Sequence, residues 1–325
     1  MPKPKQATRH WLVTSPRTAS HLLVRILNVE EQGAAENSGY FWLPAIPKRY
    51  ALQGKPMSEW TTEEKKDIDE IEKQCFNKLL DYIRESNENN RLVLFKEHAL
   101  LVNHPFFESE YAHGKGTTVG EPPAVFGDGE NGTPGTRSEL NKTVLSDEFL
   151  RTLKPTFLIR HPALSITSMY RAARTEAFDR GSREPSPIER SSIWIRSLFD
   201  FYEAQRDNGA GPPLVLDADD VMTSPEVMVK YTGLAGLDPD KLRFSWEKAS
   251  RETLSKQSTV SQMMLSTLNA SDKINLDKVA DALDITEEAA KWRAEFGKED
   301  ADKLESWVRA AMPDYEYMRS KRITV

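Results

Sequence analysis

Three short apolar runs in the sequence are each followed by a basic side chain, at Arg17, Lys96 and Arg160, and His98 lies two residues after the lysine. Guanidinium and ammonium groups bind phosphate or sulfate oxygens through charge-assisted hydrogen bonds. An imidazole can remove a proton from a hydroxyl or amine near neutral pH. These residue types therefore indicate a site for a small anion, with a candidate general base beside it.

The run before Arg17 covers residues 10–14 and is followed by Ser-Pro-Arg-Thr-Ala-Ser. This pattern predicts a buried strand, a tight turn and then a helix, with Thr18 or Ser20 as the helix cap. A helix N-terminus presents backbone N–H groups and the positive end of the helix dipole to an anion. The turn is therefore predicted to bind phosphate or sulfate.

The rest of the chain alternates predicted strands with predicted helices. Short apolar runs bounded by polar residues predict further strands at 92–95, 156–159 and 213–216. Apolar residues at helical spacing predict helices at 58–86, 146–153, 163–174, 194–202, 225–235 and 289–312. Two segments without such a period are predicted to be loops, 33–57 and 103–137, and the second is either an acceptor lid or a disordered loop.

Strands that alternate with helices favour a parallel sheet covered on both faces. The predicted fold is α/β: a three-layer sandwich with a central parallel sheet, a P-loop-like phosphate-binding turn and a helix-rich C-terminal part. No linker divides the sequence, so a single domain over residues 1–325 is expected. Ligands of open α/β sheets bind outside the carboxyl ends of the strands, which is where the basic side chains are predicted to lie.

Composition excludes several classes of protein. Among 325 residues, 44 Lys and Arg stand against 50 Asp and Glu, a net charge of −6, so general binding of nucleic acid or of an anionic membrane is not expected. The single cysteine, Cys75, excludes an intramolecular disulfide and favours a reducing compartment. No signal peptide and no apolar segment of membrane-spanning length is recognised, and a cytoplasmic location is expected.

Motifs of several other enzyme classes do not occur. No Gly-x-x-x-x-Gly-Lys-Ser/Thr sequence is present, which weighs against an ordinary kinase or NTPase. No Gly-x-Ser-x-Gly nucleophile elbow is present, which weighs against an α/β-hydrolase. The six histidines form no recognised metal-binding spacing, so no metal site is predicted.

Three segments in order along the chain resemble the signatures of PAPS-dependent sulfotransferases, where PAPS is 3′-phosphoadenosine 5′-phosphosulfate. Residues 15–22 resemble the family loop Pro-Lys/Arg-Ser-Gly-Thr/Ser-Thr-Trp, which cradles the 5′-phosphosulfate. Lys96-Glu97-His98 resembles the Lys-x-His that ends the acceptor-side strand. Residues 157–162, with Ser168 on the next helix, resemble the signature that binds the 3′-phosphate. The resemblance is strongest to soluble fungal and microbial sulfotransferase-like proteins.

The resemblance implies a role for each matching residue. His98 would be the base that deprotonates a hydroxyl or amine of a small-molecule acceptor, and Lys96 and Arg17 would stabilise charge on the sulfuryl and leaving oxygens. Arg160 and Ser168 would hold the 3′-phosphate and so select PAPS over ATP. The 5′-phosphate would be held by Arg17, Thr18, Ala19, Ser20 and His21.

The departures from the family loop include Ala19 in place of glycine and His21 in place of threonine, and Arg17 stands where the family has lysine or arginine. Arginine keeps the positive charge, whereas alanine loses the tolerance of glycine for a positive φ angle. Two alternatives to a PAPS-dependent sulfotransferase therefore stay open. One is a non-catalytic or repurposed nucleotide-binding relative, and the other is a divergent nucleotide-dependent kinase or transferase.

Overall fold

The computed structural model describes residues 8–35, 39–118, 120, 124–127, 135–175, 184–206, 212–280 and 282–325. The apolar runs singled out in the sequence form the four strands: β1 (Arg9–Thr14), β2 (Val93–His98), β3 (Leu153–Ile159) and β4 (Leu214–Asp217). Each is rich in aliphatic and aromatic residues, which favour the strand conformation. The predicted strands are therefore confirmed, and β2 and β3 extend further than the sequence predicts.

The four strands form one parallel sheet in the order β2-β1-β3-β4. The register places Thr14, the last residue of β1, opposite His98, the last residue of β2. On the other side of β1, Val13 lies opposite Phe157 of β3. All six residues of β1 are buried, so both faces of this strand are covered. The predicted α/β fold with a central parallel sheet is confirmed.

Fourteen α-helices lie in the described part of the chain. The first seven are α1 (Ser20–Leu27), α2 (Ile46–Gln53), α3 (Thr62–Glu88), α4 (Pro105–His113), α5 (Asp147–Arg151), α6 (Pro162–Ala173) and α7 (Ile193–Ala204). The others are α8 (Ala218–Thr223), α9 (Pro225–Ala235), α10 (Arg251–Ser255), α11 (Thr259–Met264), α12 (Ser266–Ala270), α13 (Ile285–Phe296) and α14 (Lys298–Ser320). No helix in the described ranges is both long and apolar enough to span a membrane.

Two predictions about connecting segments are wrong in part. The segment 33–57 contains α2, and the segment 103–137 contains α4. Both helices carry proline in their first turn, where its missing N–H costs no hydrogen bond. A proline that suggests a loop when the sequence is read alone can therefore lie in the first turn of a helix. Residues 119, 121–123 and 128–134 of the predicted lid lie outside the described residues.

A third difference concerns the end of the chain, where the sequence predicts one helix over 289–312. The structure has two, α13 and α14, separated at Gly297. Gly297 has a φ of 88°, which a residue with a side chain rarely adopts. Its backbone conformation therefore ends α13 and lets α14 start in a new direction.

The chain divides into two compact units. Unit 1 comprises Met1–Thr14, Gly33–Phe157 and Ile193–Pro213, and unit 2 comprises Ser15–Gln32, Leu158–Ser192 and Leu214–Val325. The first boundary between them along the chain falls between the last residue of β1 and the turn that follows it. A single domain over residues 1–325 stays a prediction.

The core of unit 1 is built around the amphipathic helix α3. Thr61 and Glu64 form a capping box at its start, and Cys75 on its buried face is 1% exposed. Beside α3, the buried Arg49 of α2 has Nη2 2.6 Å from Glu72 Oε1, and its Nη1 lies 3.4 Å from Glu108 Oε1. Buried charges of opposite sign compensate one another, so this group depends on all its members.

The core of unit 2 is a cluster of buried apolar side chains from three helices. Ala163, Ile166 and Tyr170 of α6 pack with Trp292 of α13 and with apolar residues of α14. These positions recur at three- and four-residue steps in the sequence, as expected for helices that bury one face. Helix α6 is thereby fixed directly after the end of β3.

Short backbone bridges accompany the two outer strands. Ala34 pairs with Leu92, just before β2, and Gly39 pairs with Lys96 within it. A Cβ atom at Gly39 would lie 2.6 Å from the Lys96 carbonyl oxygen, so only glycine allows this approach. In unit 2, the Ile323 N–H donates to the Val215 carbonyl of β4 at 2.9 Å.

Candidate active site

The turn between β1 and α1 belongs to unit 2, and its helix cap differs from the prediction of Thr18 or Ser20. Ala19 occupies the N-cap position, with no side-chain hydrogen bond to the helix. The Thr18 hydroxyl instead donates to the Ser15 carbonyl at 2.7 Å, across the turn. Ser20, which is buried, and the half-buried His21 begin the helix. Backbone N–H groups in this first turn are the donors that an anion would use.

Two non-glycine residues of the turn have left-handed backbone conformations. The φ angle is 64° at Arg17 and 62° at Ala19. A side chain in this region costs about 1–2 kcal/mol per residue, and such strain concentrates at functional sites. Ala19 therefore adopts the conformation that glycine tolerates best, although the sequence carries alanine there.

The side chain of Arg17 contacts helix α6 and the end of α11, both in unit 2. Its Nε donates to the Ser168 hydroxyl at 2.9 Å. Its Nη1 donates to the Met264 carbonyl at 3.0 Å. The structure thus brings together Arg17 and Ser168, which the sequence assigns to opposite ends of the nucleotide.

The side chain of Arg160 points to the same turn. Its Nη1 donates to the Arg17 carbonyl at 3.0 Å, and its Nη2 donates to the Lys278 carbonyl at 2.8 Å. Its Nε is buried and has no hydrogen-bond partner among the described residues. Burial lowers the pKa of Arg160, and the nearby Asp219 carboxylate acts against this shift. We refer to Arg17, Arg160 and Ser168 as the cationic cluster.

The cationic cluster has the chemistry of a site for a phosphorylated ligand. Two guanidinium groups at partly buried positions need anions or oxygen acceptors, and here they are held by backbone carbonyls. The buried Nε of Arg160 is a donor that the described residues leave unused. A phosphate oxygen would satisfy it, so the residues present fit a phosphate group.

In unit 1, β2 presents Lys96 and His98 on one face and Glu97 on the other, because successive side chains of a strand alternate. Lys96 is 5% exposed, and burial lowers its pKa to about 7. Its Nζ lies 4.5 Å from the centre of the Tyr40 ring, a distance typical of a cation–π contact. The ammonium group is therefore stabilised in part by an aromatic face.

His98 is held from two sides. Its Nδ1 lies 2.6 Å from the Thr14 hydroxyl, across the parallel pairing of β1 and β2. Its ring centre lies 4.9 Å from that of Tyr40, with the two planes inclined by 57°. We refer to Thr14, Tyr40, Lys96 and His98 as the β2-end cluster.

Glu97 anchors the segment that carries Tyr40. Its buried carboxylate accepts the Trp42 N–H at 3.2 Å and the His98 N–H at 3.0 Å. The Tyr40 N–H donates to the Lys96 carbonyl at 2.9 Å. Burial raises the pKa of Glu97 to about 8. The bond to the Lys96 carbonyl and the bond of Trp42 to the Glu97 carboxylate thus fix the backbone around Tyr40, which has a φ of 57°.

The sequence identifies Arg17, Arg160 and Ser168 as candidates for one site, and the structure joins them by hydrogen bonds. The sequence alone does not identify Thr14 or Tyr40 as site residues. Thr14 is visible only as the last residue of a predicted strand. Tyr40 is positioned by a bridge to β2 that has no signal in the local sequence.

No family model matches the sequence. The chain is 35% identical over 336 residues to sulfotransferase ppzF of Metarhizium majus, covering 97% of this chain and 96% of the relative. It is 34% identical over 339 residues to sulfotransferase ppzF of Metarhizium rileyi, covering 98% and 97%. The solved sulfotransferase domain from the curacin biosynthetic pathway matches with a TM-score of 0.35 and 14% identity, over 85% of this chain and 91% of that one. The fungal relatives match almost end to end at this identity, and the chain therefore belongs to the sulfotransferase family.

Proposed function

We propose that this protein is a PAPS-dependent sulfotransferase that transfers a sulfuryl group to a hydroxyl or amine of a small-molecule acceptor. The observation that carries this proposal is the cationic cluster. Arg17 and Arg160 follow two different strands, yet the guanidinium of Arg160 bonds to the Arg17 backbone and the guanidinium of Arg17 bonds to Ser168. Membership of the sulfotransferase family makes the nucleotide of PAPS the ligand that suits such a cluster.

The residues of unit 2 would bind the nucleotide part of PAPS. Backbone N–H groups of Thr18–His21, with the Ser20 hydroxyl, would hold the 5′-phosphate at the start of α1. Arg160 and Ser168 would hold the 3′-phosphate, which ATP lacks. A guanidinium fork suits this task because it can bind two phosphate oxygens at once.

The residues of unit 1 would act on the acceptor. His98 would accept the proton of the acceptor hydroxyl or amine as the new bond to sulfur forms. Lys96 would stabilise negative charge on the sulfuryl oxygens, the role that the family resemblance implies for it. Transfer of this kind depends mainly on in-line positioning and on charge stabilisation, as phosphoryl transfer does.

Transfer of label from ³⁵S-PAPS to a panel containing a phenol, an aliphatic alcohol and an amine tests the proposal. We expect a sulfated product from the wild-type protein and a loss of about 10²- to 10⁴-fold in kcat for His98→Ala, because the general base is removed. Lys96→Met should be similarly impaired. Lys78→Met, at an exposed position of α3 in the same unit, is the matched control and should retain full activity.

A competition experiment separates the proposal from its two alternatives. Adenosine 3′,5′-bisphosphate should bind more tightly than ADP, because only the former carries a 3′-phosphate. Preference for ADP would favour a kinase-like transferase. Tight binding of the bisphosphate without transfer to any acceptor would favour a nucleotide-binding relative without catalysis.

A further inference from the structure

The side chain of Thr14 is fully buried at the end of β1, and its hydroxyl makes two contacts. The Oγ1 atom lies 3.3 Å from the Glu97 carbonyl oxygen and 2.6 Å from His98 Nδ1. A buried hydroxyl is normally hydrogen-bonded, and it has one proton to donate and two lone pairs that accept. The direction of each contact therefore determines where the proton of the imidazole ring lies.

The contact with Glu97 has one permitted direction, because a carbonyl oxygen only accepts. If the Thr14 proton is donated there, the hydroxyl cannot also donate to His98. The 2.6 Å contact is then a hydrogen bond only when His98 Nδ1 carries a proton and donates it to Thr14 Oγ1. This is the single assignment in which both contacts are hydrogen bonds.

A neutral imidazole with its proton on Nδ1 has its lone pair on Nε2, at the far side of the ring from Thr14. We propose that Thr14 is a positioning residue of the transfer reaction, which holds His98 in this tautomer so that Nε2 is the atom that accepts the acceptor's proton. Tyr40, whose ring lies against that of His98, restricts rotation of the imidazole. The inference deepens the proposed function and rests on it.

The O–H or N–H proton of the acceptor passes to His98 Nε2, and the electron pair of that bond forms the new bond to sulfur. The bridging S–O bond of the phosphosulfate breaks, and its electron pair stays on the phosphate oxygen. The imidazolium that results keeps its Nδ1–H bond to Thr14, so the same contact orients the ring before and after proton transfer.

Two variants of nearly equal size separate the hydroxyl from the shape of the side chain. Thr14→Val keeps the volume and the β-branch of threonine but removes the hydrogen bonds, whereas Thr14→Ser keeps the hydroxyl. For Thr14→Val we expect kcat to fall about 10- to 100-fold, by analogy with the loss of a hydrogen-bond partner that orients a metal-bound histidine. The KM values for PAPS and acceptor should change little, and Thr14→Ser should retain kcat within about threefold.

The tautomer itself can be measured without turnover. ¹⁵N-histidine NMR at about pH 9, where an ordinary imidazole is neutral, should show a protonated Nδ1 and an unprotonated Nε2 for His98. The signal is assigned among the six histidines by its loss in His98→Gln. In Thr14→Val this preference should be reduced, and in Thr14→Ser it should persist.

The outcomes distinguish the two proposals. A wild-type protein that transfers no sulfuryl group overturns the proposed function, and the Thr14 role in transfer with it. Transfer by the wild type together with an undiminished kcat in Thr14→Val overturns the inference alone. A protonated Nε2 in the wild-type spectrum overturns it as well, whatever the activity.

Discussion

Arg160 is the residue at which nucleotide selectivity can be tested most directly, through the substitution Arg160→Gln. In the structure both Nη atoms are bonded to backbone carbonyls, while Nε is buried without a partner in the described part of the chain. Glutamine can keep one amide contact to a carbonyl but removes the charge. The substitution therefore affects both the local backbone and any bound phosphate, and the assay must separate the two effects.

Removing one member of a buried, hydrogen-bonded charge pair costs about 2–5 kcal/mol of binding free energy. Because Arg160 is only partly buried, the lower end applies. About 2–3 kcal/mol corresponds to a loss of roughly 30- to 150-fold in affinity for adenosine 3′,5′-bisphosphate. AMP lacks the 3′-phosphate and should lose little affinity beyond the effect of the altered backbone contacts.

Isothermal titration calorimetry of both nucleotides with wild type and Arg160→Gln gives the ratio of their dissociation constants. The wild-type ratio should favour the bisphosphate, and the variant should bring the two affinities close together. Arg160→Lys, which keeps the charge but not the fork, should give an intermediate ratio. A ratio that is the same in wild type and Arg160→Gln would refute the role, because a residue that only holds carbonyls weakens both nucleotides equally.

Three further results are expected. Burial lowers the pKa of Lys96 to about 7, so its ammonium group loses its proton as the pH rises above about 7. We expect kcat/KM to fall over that range, and Lys96→Arg should remove this limb of the pH–rate profile. Ala19→Gly should raise the free energy of unfolding by about 0.5–1 kcal/mol. The substitution relieves about 1–2 kcal/mol of left-handed backbone strain, whereas the greater conformational entropy of glycine in the unfolded chain costs about 0.4–1 kcal/mol. A lower urea midpoint in the variant would contradict this. Arg49→Leu should lower the free energy of unfolding, measured in urea, by about 3–5 kcal/mol, since it leaves Glu72 and Glu108 without their partner. Lys48→Ala breaks only the partly exposed pair with Asp67 and should lower it by less than about 1 kcal/mol.

The strands and the long helix could be predicted because their signals are local. Apolar runs bounded by polar residues define β1 to β4 within a few residues, and the three- and four-residue steps from Ile68 to Ile83 define most of α3. The start of α4 could not be predicted in this way. Its cap is His104, whose Nδ1 accepts the Phe106 N–H, and histidine is an uncommon residue at that position.

The partners of the site residues were beyond sequence reasoning for a different reason. Arg17 and Arg160 bond to carbonyls of Met264 and Lys278, which lie 247 and 118 residues away along the chain. Every residue type supplies the same carbonyl, so such a partner has no sequence signature. The contact of Thr14 with His98 likewise depends on the register of β1 against β2, which is set by the whole sheet.

The bridges along the outer strands have a consequence for the protein in concentrated solution. An uncovered edge strand offers amide and carbonyl groups to other polypeptides and so promotes fibrous aggregation. Ala34 pairs with Leu92, just before β2, and Gly39 pairs with Lys96 within it, while the Ile323 N–H donates to a carbonyl of β4. Gly39 in particular lets the covering segment come close enough for these bonds. The backbone at Gly39 and Tyr40, which places the Tyr40 ring against His98, thus also keeps strands of neighbouring molecules from pairing with this edge of the sheet.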